Sequence, residues 1–136
     1  MGYLEEIQNR GREANPFFRL MGIDVDSFGK GEAELSMEVR PDMLNGAGWL
    51  QGGLFTALCD EAMALALVTV LEEGERIATI SESTSFLQGI RKGRLIARGR
   101  VVKKGRHVAF TEGTVADYEG HVLSQTCASF TVISPH

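Results

Sequence analysis

The stretch from Leu54 to Val70, LFTALCDEAMALALVTV, is almost wholly apolar yet carries Asp60 and Glu61 side by side. On a helix, at about 100° per residue, its apolar side chains point in every direction around the axis. A helix that is apolar all round is a buried one. It is too interrupted for a membrane span, which needs ~20 residues with few or no charges. The remainder of the chain must therefore wrap around this segment and still accommodate a carboxylate. A glycine-rich loop, Asn45-Gly-Ala-Gly-Trp-Leu-Gln-Gly-Gly53, feeds directly into it.

The flanking segments have a different period. Ile23, Val25, Ala33, Leu35, Met37 and Val39 alternate with acidic and polar residues, as in strands with one wet face. Gly29-Lys30-Gly31 supplies the turn between them. Strand-like runs follow at Ile77–Phe86, Arg94–Lys103, His107–Ala116 and Val122–Ile133, with glycine-bearing turns at 104–106 and 118–120. Residues 3–14 predict a short amphipathic helix within an amino-terminal segment, 1–15, that Asn15-Pro16 closes. Phe17, Phe18, Leu20 and Met21 form an apolar plug. The central helix is expected over about 52–71, ended by Glu72-Glu73-Gly74-Glu75. Strands grouped around one helix and joined by tight turns indicate an α+β class with an antiparallel sheet curled around that helix.

Composition narrows the function. The 136 residues are 43% hydrophobic and 24% charged, in keeping with one globular domain over 1–136. A net charge of −4 argues against a nucleic-acid partner. Cys59 and Cys127 lie in apolar runs without CxxC spacing and read as a reduced, buried pair in a cytosolic protein. The amino terminus mixes charges and lacks an apolar core, so no signal peptide or membrane partner is expected, and the location expected is cytoplasmic. His107, His121 and His136 have no ligand-like spacing, so no metal is expected. No Gly-x-Ser-x-Gly elbow occurs, which excludes the serine-hydrolase arrangement of α/β folds.

Two features can carry chemistry. The first N–H groups of a helix lack internal partners and sit at the positive end of its dipole. Gly52 and Gly53 would let a carbonyl that becomes an oxyanion approach them; equally, they let a helix start tightly against a sheet. Asp60, among Cys59, Ala62, Met63 and Ala64, can serve as general base or nucleophile, or mark a narrow wet edge. Glu61, about 100° further round, suits an ion pair with an arginine. Eight residues separate Gly52 from Asp60, about 12 Å along a helix, whereas reacting atoms must approach to about 3–3.5 Å. If both act, two antiparallel helices across a twofold interface bring one chain's Gly52 to the other's Asp60, and function requires a dimer.

These residues resemble the hotdog-fold acyl-CoA thioesterases of the PaaI-like, phenylacetate-pathway branch. That family has a loop Asn, then His-Gly-Gly, and an Asp on the central helix; Asn45, Gln51-Gly52-Gly53, Leu58 and Asp60 stand at those places, with Gln51 in place of the His. Asn15–Ile23 and Ser83–Gln88 also look like it. The resemblance implies a curved antiparallel sheet around a long central helix, in a homodimer with shared active sites that pairs further into a homotetramer. It implies hydrolysis of a small aryl- or fatty-acyl-CoA thioester to free acid and CoA. Asp60 would act on the thioester, Gly52 would donate its N–H to the carbonyl, and Asn45 would orient water or carbonyl. Gln51, Gly53, Gln88 and Gly89 would lie along the substrate, while Arg91 and Lys92 would meet CoA phosphates or form a solvated basic loop. Coenzyme A arrives as part of the substrate and no separate cofactor is implied. A carrier-protein thioester and a non-catalytic acyl-CoA-binding module are the alternatives. Phe17, Phe18, Met63, Leu67 and Phe86 are candidates for an acyl pocket or for core.

Overall fold

Each run with period-two patterning becomes a strand, and six strands join one antiparallel sheet. In the computed structural model, which describes residues 2–135, these are β1 Ile23–Gly29, β2 Glu32–Val39, β3 Arg76–Phe86, β4 Gly93–Lys104, β5 Val108–Asp117 and β6 Val122–Ile133. Their spatial order is β1-β2-β4-β5-β6-β3. The helices are α1 Tyr3–Arg10, α2 Pro16–Met21 and α3 Gly52–Val68, with single 3-10 turns at Gly11–Ala14 and Pro41–Met43. The sheet curls around α3, giving the α+β architecture expected from the sequence.

The expected apolar plug is a short helix, α2. Asn15 caps it, its side-chain oxygen accepting the N–H groups of Phe17 at 2.9 Å and Phe18 at 3.3 Å. Pro16 at the first helical position needs no N–H partner. Phe18 and Met21 enter the core, whereas Leu20 is 67% exposed. The central helix stops at Val68, short of Leu71, with Thr69 as its C-terminal cap. Its hydroxyl donates to the Ala66 carbonyl at 2.6 Å and accepts the Gly31 N–H at 2.8 Å, tying the helix end to the β1–β2 turn.

Close approach of helix and sheet depends on two glycines. Gly99 of β4 and Gly113 of β5 are cross-strand partners. A Cβ on Gly99 would lie 2.6 Å from the Ala62 carbonyl carbon and the Met63 nitrogen, and one on Gly113 would lie 2.6 Å from Cys59 Sγ. The α3 backbone thus rests directly on the strands. Phe55, Leu58, Cys59, Ala62, Met63, Leu65, Ala66 and Leu67 are buried there. The helix is nevertheless not enclosed. Leu54, Thr56, Ala57, Asp60, Glu61, Ala64 and Val68 form a half-buried stripe along one side. The apolar members of that stripe are why the segment reads as apolar all round.

The two edges of the sheet differ. β1 carries Asp24, gripped by Arg12 and Arg94, and an irregularity at Asp26. β3 is long, pairs only with β6, and exposes most of its residues. Ile80, Phe86 and Leu87 on or beside it are 55–56% exposed. Cys59 is buried, but Cys127 lies on the solvent side of β6 and is exposed. The buried-pair expectation therefore fails for Cys127, because β6 alternates and Cys127 falls on its outward register between Thr126 and Ala128. No helix among the described residues is long and apolar enough to cross a membrane.

Replacing Gly99 with Ala should destabilise the fold by about 1–3 kcal/mol, since a methyl there meets helix backbone that cannot swing away. Gly46→Ala, where nothing lies within 4 Å, should change stability by less than about 0.5 kcal/mol. Urea unfolding of the two variants beside the parent chain checks both.

Candidate active site

The loop from Asn45 to Gln51 delivers the first turn of α3, and its own side chains build it. Asn45 Oδ1 accepts the N–H groups of Ala47 at 2.9 Å and Trp49 at 3.1 Å. This is how an Asx side chain shapes a turn. Its oxygen is therefore committed to the loop, and only its amide nitrogen remains for a ligand. The Leu50 N–H donates to the Ile90 carbonyl at 2.8 Å and the Gln51 N–H to the Met43 carbonyl at 3.0 Å. The first bond fastens the loop to the segment after β3, the second to the 3-10 turn that precedes the loop.

Gln51 is the cap of α3. Its side-chain oxygen accepts the Gly53 N–H, and a Cβ on Gly53 would lie 2.8 Å from that oxygen. Gly53 therefore serves the cap, and its N–H is taken. The Gly52 N–H, by contrast, finds no acceptor among the described residues. The Phe86 ring lies beside Gly52, 3.4 Å from where a Cβ would be. Phe86 also meets Phe55 edge-to-face at 6.2 Å between ring centroids. One free donor at the positive end of a helix, walled by an aromatic ring, suits the developing oxygen of a reacting carbonyl.

Asp60 lies two turns further along α3, about 12 Å from Gly52 by helix geometry. The fold does not bring the two together within one chain. Asp60 is half-buried on the open stripe, and Thr79 of β3 donates to it at 3.5 Å, a long hydrogen bond. Two more carboxyls stand close by. Burial and then the Asp60 charge push Glu61 up to about 7. No arginine pairs with it among the described residues; it lies instead near Asn15 and Tyr3. The expected ion pair is thus replaced by the Asn15 amide, because α1 and α2 bring no cation to that side of α3. Glu82 of β3 is pushed up to about 8 by partial desolvation, by its contact with Asp60 and by the charges of Asp60 and Glu61. Burial raises the Cys59 thiol to about 12, which makes it an inert packed group.

Sequence alternation alone does not point to Glu82. In β3, Thr79 faces Phe130 and Ser81 faces Ser129, leaving Ile80 as the extra residue of a bulge. Across the bulge, Thr79 and Glu82 come onto the same face, with Thr84 and Phe86. All four lie opposite buried β6 residues: Phe130, Ala128, Thr126 and Ser124. A strict period of two would have put Thr79 and Glu82 on opposite faces.

The remaining candidates gather near the start of α3. Gly89 packs against Trp49, 3.0 Å from ring to a would-be Cβ, and the Arg91 guanidinium stacks on Trp49 at 4.0 Å from its centroid. Arg91 and Lys92 form no ion pair among the described residues. The Gln88 N–H donates to the Leu123 carbonyl at 3.2 Å, which fixes its backbone. Of the acyl-pocket candidates, Phe18, Met63 and Leu67 are fully buried core, which leaves the half-buried Phe17 and the exposed Phe86. A cleft of about 480 Å³ lies on the other face of the sheet, among Glu34, Arg98, Arg100 and Glu112. Its arginines are paired with its glutamates, and it does not include Asp60. Among the described residues, no group of His, Cys, Asp and Glu has a metal-holding arrangement.

The same architecture recurs in solved structures. A thioesterase from Haemophilus influenzae superposes with a TM-score of 0.87, at 23% identity, over 95% of this chain and 91% of that one. A thioesterase family protein from Silicibacter pomeroyi gives 0.86, at 23% identity, over 98% and 99%. A mutant of the phenylacetic acid degradation protein PaaI from Thermus thermophilus gives 0.79, at 28% identity, over 86% and 98%. These likenesses agree with the PaaI-like hotdog resemblance of the sequence. The family model of the thioesterase superfamily matches residues 47–124, from the loop before α3 into β6. That span takes in more than half of the chain and both halves of the candidate site, and the chain belongs to the thioesterase superfamily.

Proposed function

We propose that the protein hydrolyses a small aryl- or fatty-acyl-CoA thioester, using Asp60 of one chain and Gly52 of a second. The observation that carries this reading is the division of labour along α3: a donor without an acceptor at Gly52 and a half-buried carboxylate at Asp60. They are too far apart to serve one carbonyl within one chain. The open stripe of α3 and the exposed edge of β3 lie beside Asp60 and supply a surface for a second copy. An unpaired edge strand with exposed Ile80 and Phe86 is suited to pairing with its own twin. Two antiparallel copies of α3 then place each Gly52 opposite the other's Asp60, giving two sites per dimer. Pairing of such dimers would give a tetramer.

In the reaction, Asp60 takes a proton from water, or attacks the carbonyl carbon directly. The oxygen–carbon bond forms while the carbonyl oxygen gains charge against the Gly52 N–H. The carbon–sulfur bond then breaks; after water attack the leaving CoA thiolate takes the proton Asp60 removed, whereas after direct attack water hydrolyses the acyl-aspartate anhydride, supplying that proton, releasing the free acid and restoring the carboxylate. The Asn45 amide nitrogen, left free by the loop, can donate to the carbonyl or hold the water. Gln88 and Gly89 flank the pantetheine arm, and Arg91, held on Trp49, meets phosphate together with Lys92. Gln51 and Gly53 act indirectly by fixing the first turn of α3. The thioester bond requires no metal or separate organic cofactor, and neither nucleic acid nor membrane enters the reading. The proposed location is the cytoplasm.

Release of free thiol from a panel of aryl- and straight-chain acyl-CoAs tests the reading. Asp60→Asn should lower kcat/KM by about 10²–10⁴ while leaving acyl-CoA binding intact. Binding without turnover in the parent chain would establish the non-catalytic module instead. Ile80→Lys, which places a charge on the β3 edge, should reduce the particle from at least twice the 14.8 kDa of one chain to a single chain and abolish turnover. Light scattering and the thiol assay on the same sample check this, and a fully active single chain would refute a shared site.

A further inference from the structure

We propose that Glu82 is a positioning residue for Asp60: a hydrogen bond between the two carboxyls orients the Asp60 side chain toward the thioester. The inference rests on the reading in which Asp60 acts on the thioester. It begins from an unmet need. Asp60 works only as a carboxylate, yet the hydroxyl that reaches it, Thr79, does so at a long 3.5 Å. A second donor on the same side would complete its setting.

The β3 bulge provides one. Thr84 hydrogen-bonds Thr56 of α3 at 2.8 Å and Thr126 of β6 at 2.9 Å, which fixes β3 against the helix one turn before Asp60. Thr79 reaches Asp60 from the other side. Glu82 stands between these two attachment points, on the same face of β3, and so faces α3 beside Asp60. A hydrogen bond between the two carboxyls needs one proton between them. An O–H donating to a carboxylate is among the shorter and stronger hydrogen bonds in proteins.

The surroundings decide which carboxyl keeps the proton. Partial desolvation acts first on Glu82; from α3, Asp60 and Glu61 then face it with like charge, and Cys59 lies nearby as a neutral thiol. From β6 the residue opposite is Ala128, flanked by Cys127 and Ser129. No lysine, arginine or histidine pairs with the three carboxyls among the described residues. Two adjacent carboxylates do not both ionise readily, and it is Glu82 whose affinity for the proton is raised, to about 8. Near neutral pH, Glu82 therefore donates and Asp60 accepts. Above about pH 8, the donor becomes a second negative charge beside the first.

The test compares Glu82→Gln, which keeps a donor but cannot ionise, with Glu82→Leu, which removes the donor. Rates on the best acyl-CoA of the panel are measured from pH 6 to 10. The parent chain should lose kcat as Glu82 ionises. Glu82→Gln should stay within a few-fold of the parent at pH 7 and lose that alkaline decline. Glu82→Leu should lose roughly ten-fold in kcat at pH 7, the worth of a hydrogen bond to a charged group, with KM little changed. Glu82→Leu at full activity, or Glu82→Gln with the parent's alkaline decline, would overturn the proposal. Carbon-13 NMR of the glutamate carboxyls gives a readout that needs no turnover: in Asp60→Asn the Glu82 midpoint should fall toward the usual carboxylate range. An unmoved midpoint would also overturn it. Turnover surviving in Asp60→Asn would instead refute the role of Asp60, leaving the carbon-13 shift to decide the hydrogen bond.

Discussion

The structure depends on the contact between the backbone of α3 and the glycine pair Gly99 and Gly113. Side chains between a helix and a sheet ordinarily leave room to slide or roll. Here the helix meets β4 with its own peptide groups, at separations that no Cβ could share. Cys59 is seated on Gly113, so its neighbour Asp60 has little freedom in height or rotation. The hydroxyl chain Thr56–Thr84–Thr126 fixes the other side of the helix against β3 and β6. A buried helix is thereby held from two directions while one stripe stays open.

That open stripe resolves the tension between burial and charge. Three neighbouring carboxyls without a cation among the described residues would be intolerable in a closed core. On a half-open face they remain, with the proton affinities of Glu61 and Glu82 raised rather than the fold disrupted. The other end of α3 is treated differently. Gln51 satisfies the Gly53 N–H and leaves the Gly52 N–H free. A glutamine does this as a neutral acceptor, so the helix start is capped without placing a charge where a carbonyl oxygen would develop one.

Much of this was legible in the sequence because it is written in periodicity. The six strands follow from alternation, and α3 from a long apolar run behind a glycine loop. The positions of Gly52 and Asp60 follow from counting residues on a helix. What was not legible depends on local departures from period. The bulge at Ile80 brings Glu82 round to Asp60, and no residue type in Thr79-Ile-Ser-Glu82 announces it. The helix α2 is set by the Asn15 cap, which reads equally as a stop for the segment before it. Asn45 was visible as a polar residue in a loop, but the commitment of its oxygen to Ala47 and Trp49 is a property of the folded turn. Glu61 looked like half of an ion pair, and only the packing of α1 and α2 shows Asn15 in the place of a cation.

The unlike edges of the sheet have a consequence for how the molecule meets copies of itself at high concentration. At β1, only seven residues long, the guanidinium clasp on Asp24 sets charged side chains along the edge that another strand would need. At β3 that edge is eleven residues long, with Ile80 and Phe86 exposed among serines, threonines and Glu82. A sheet that can be extended from one side only closes on the first twin it meets and leaves nothing for a third. An edge open on one side only carries less of the risk that accompanies sheets open on both, which is growth into fibres.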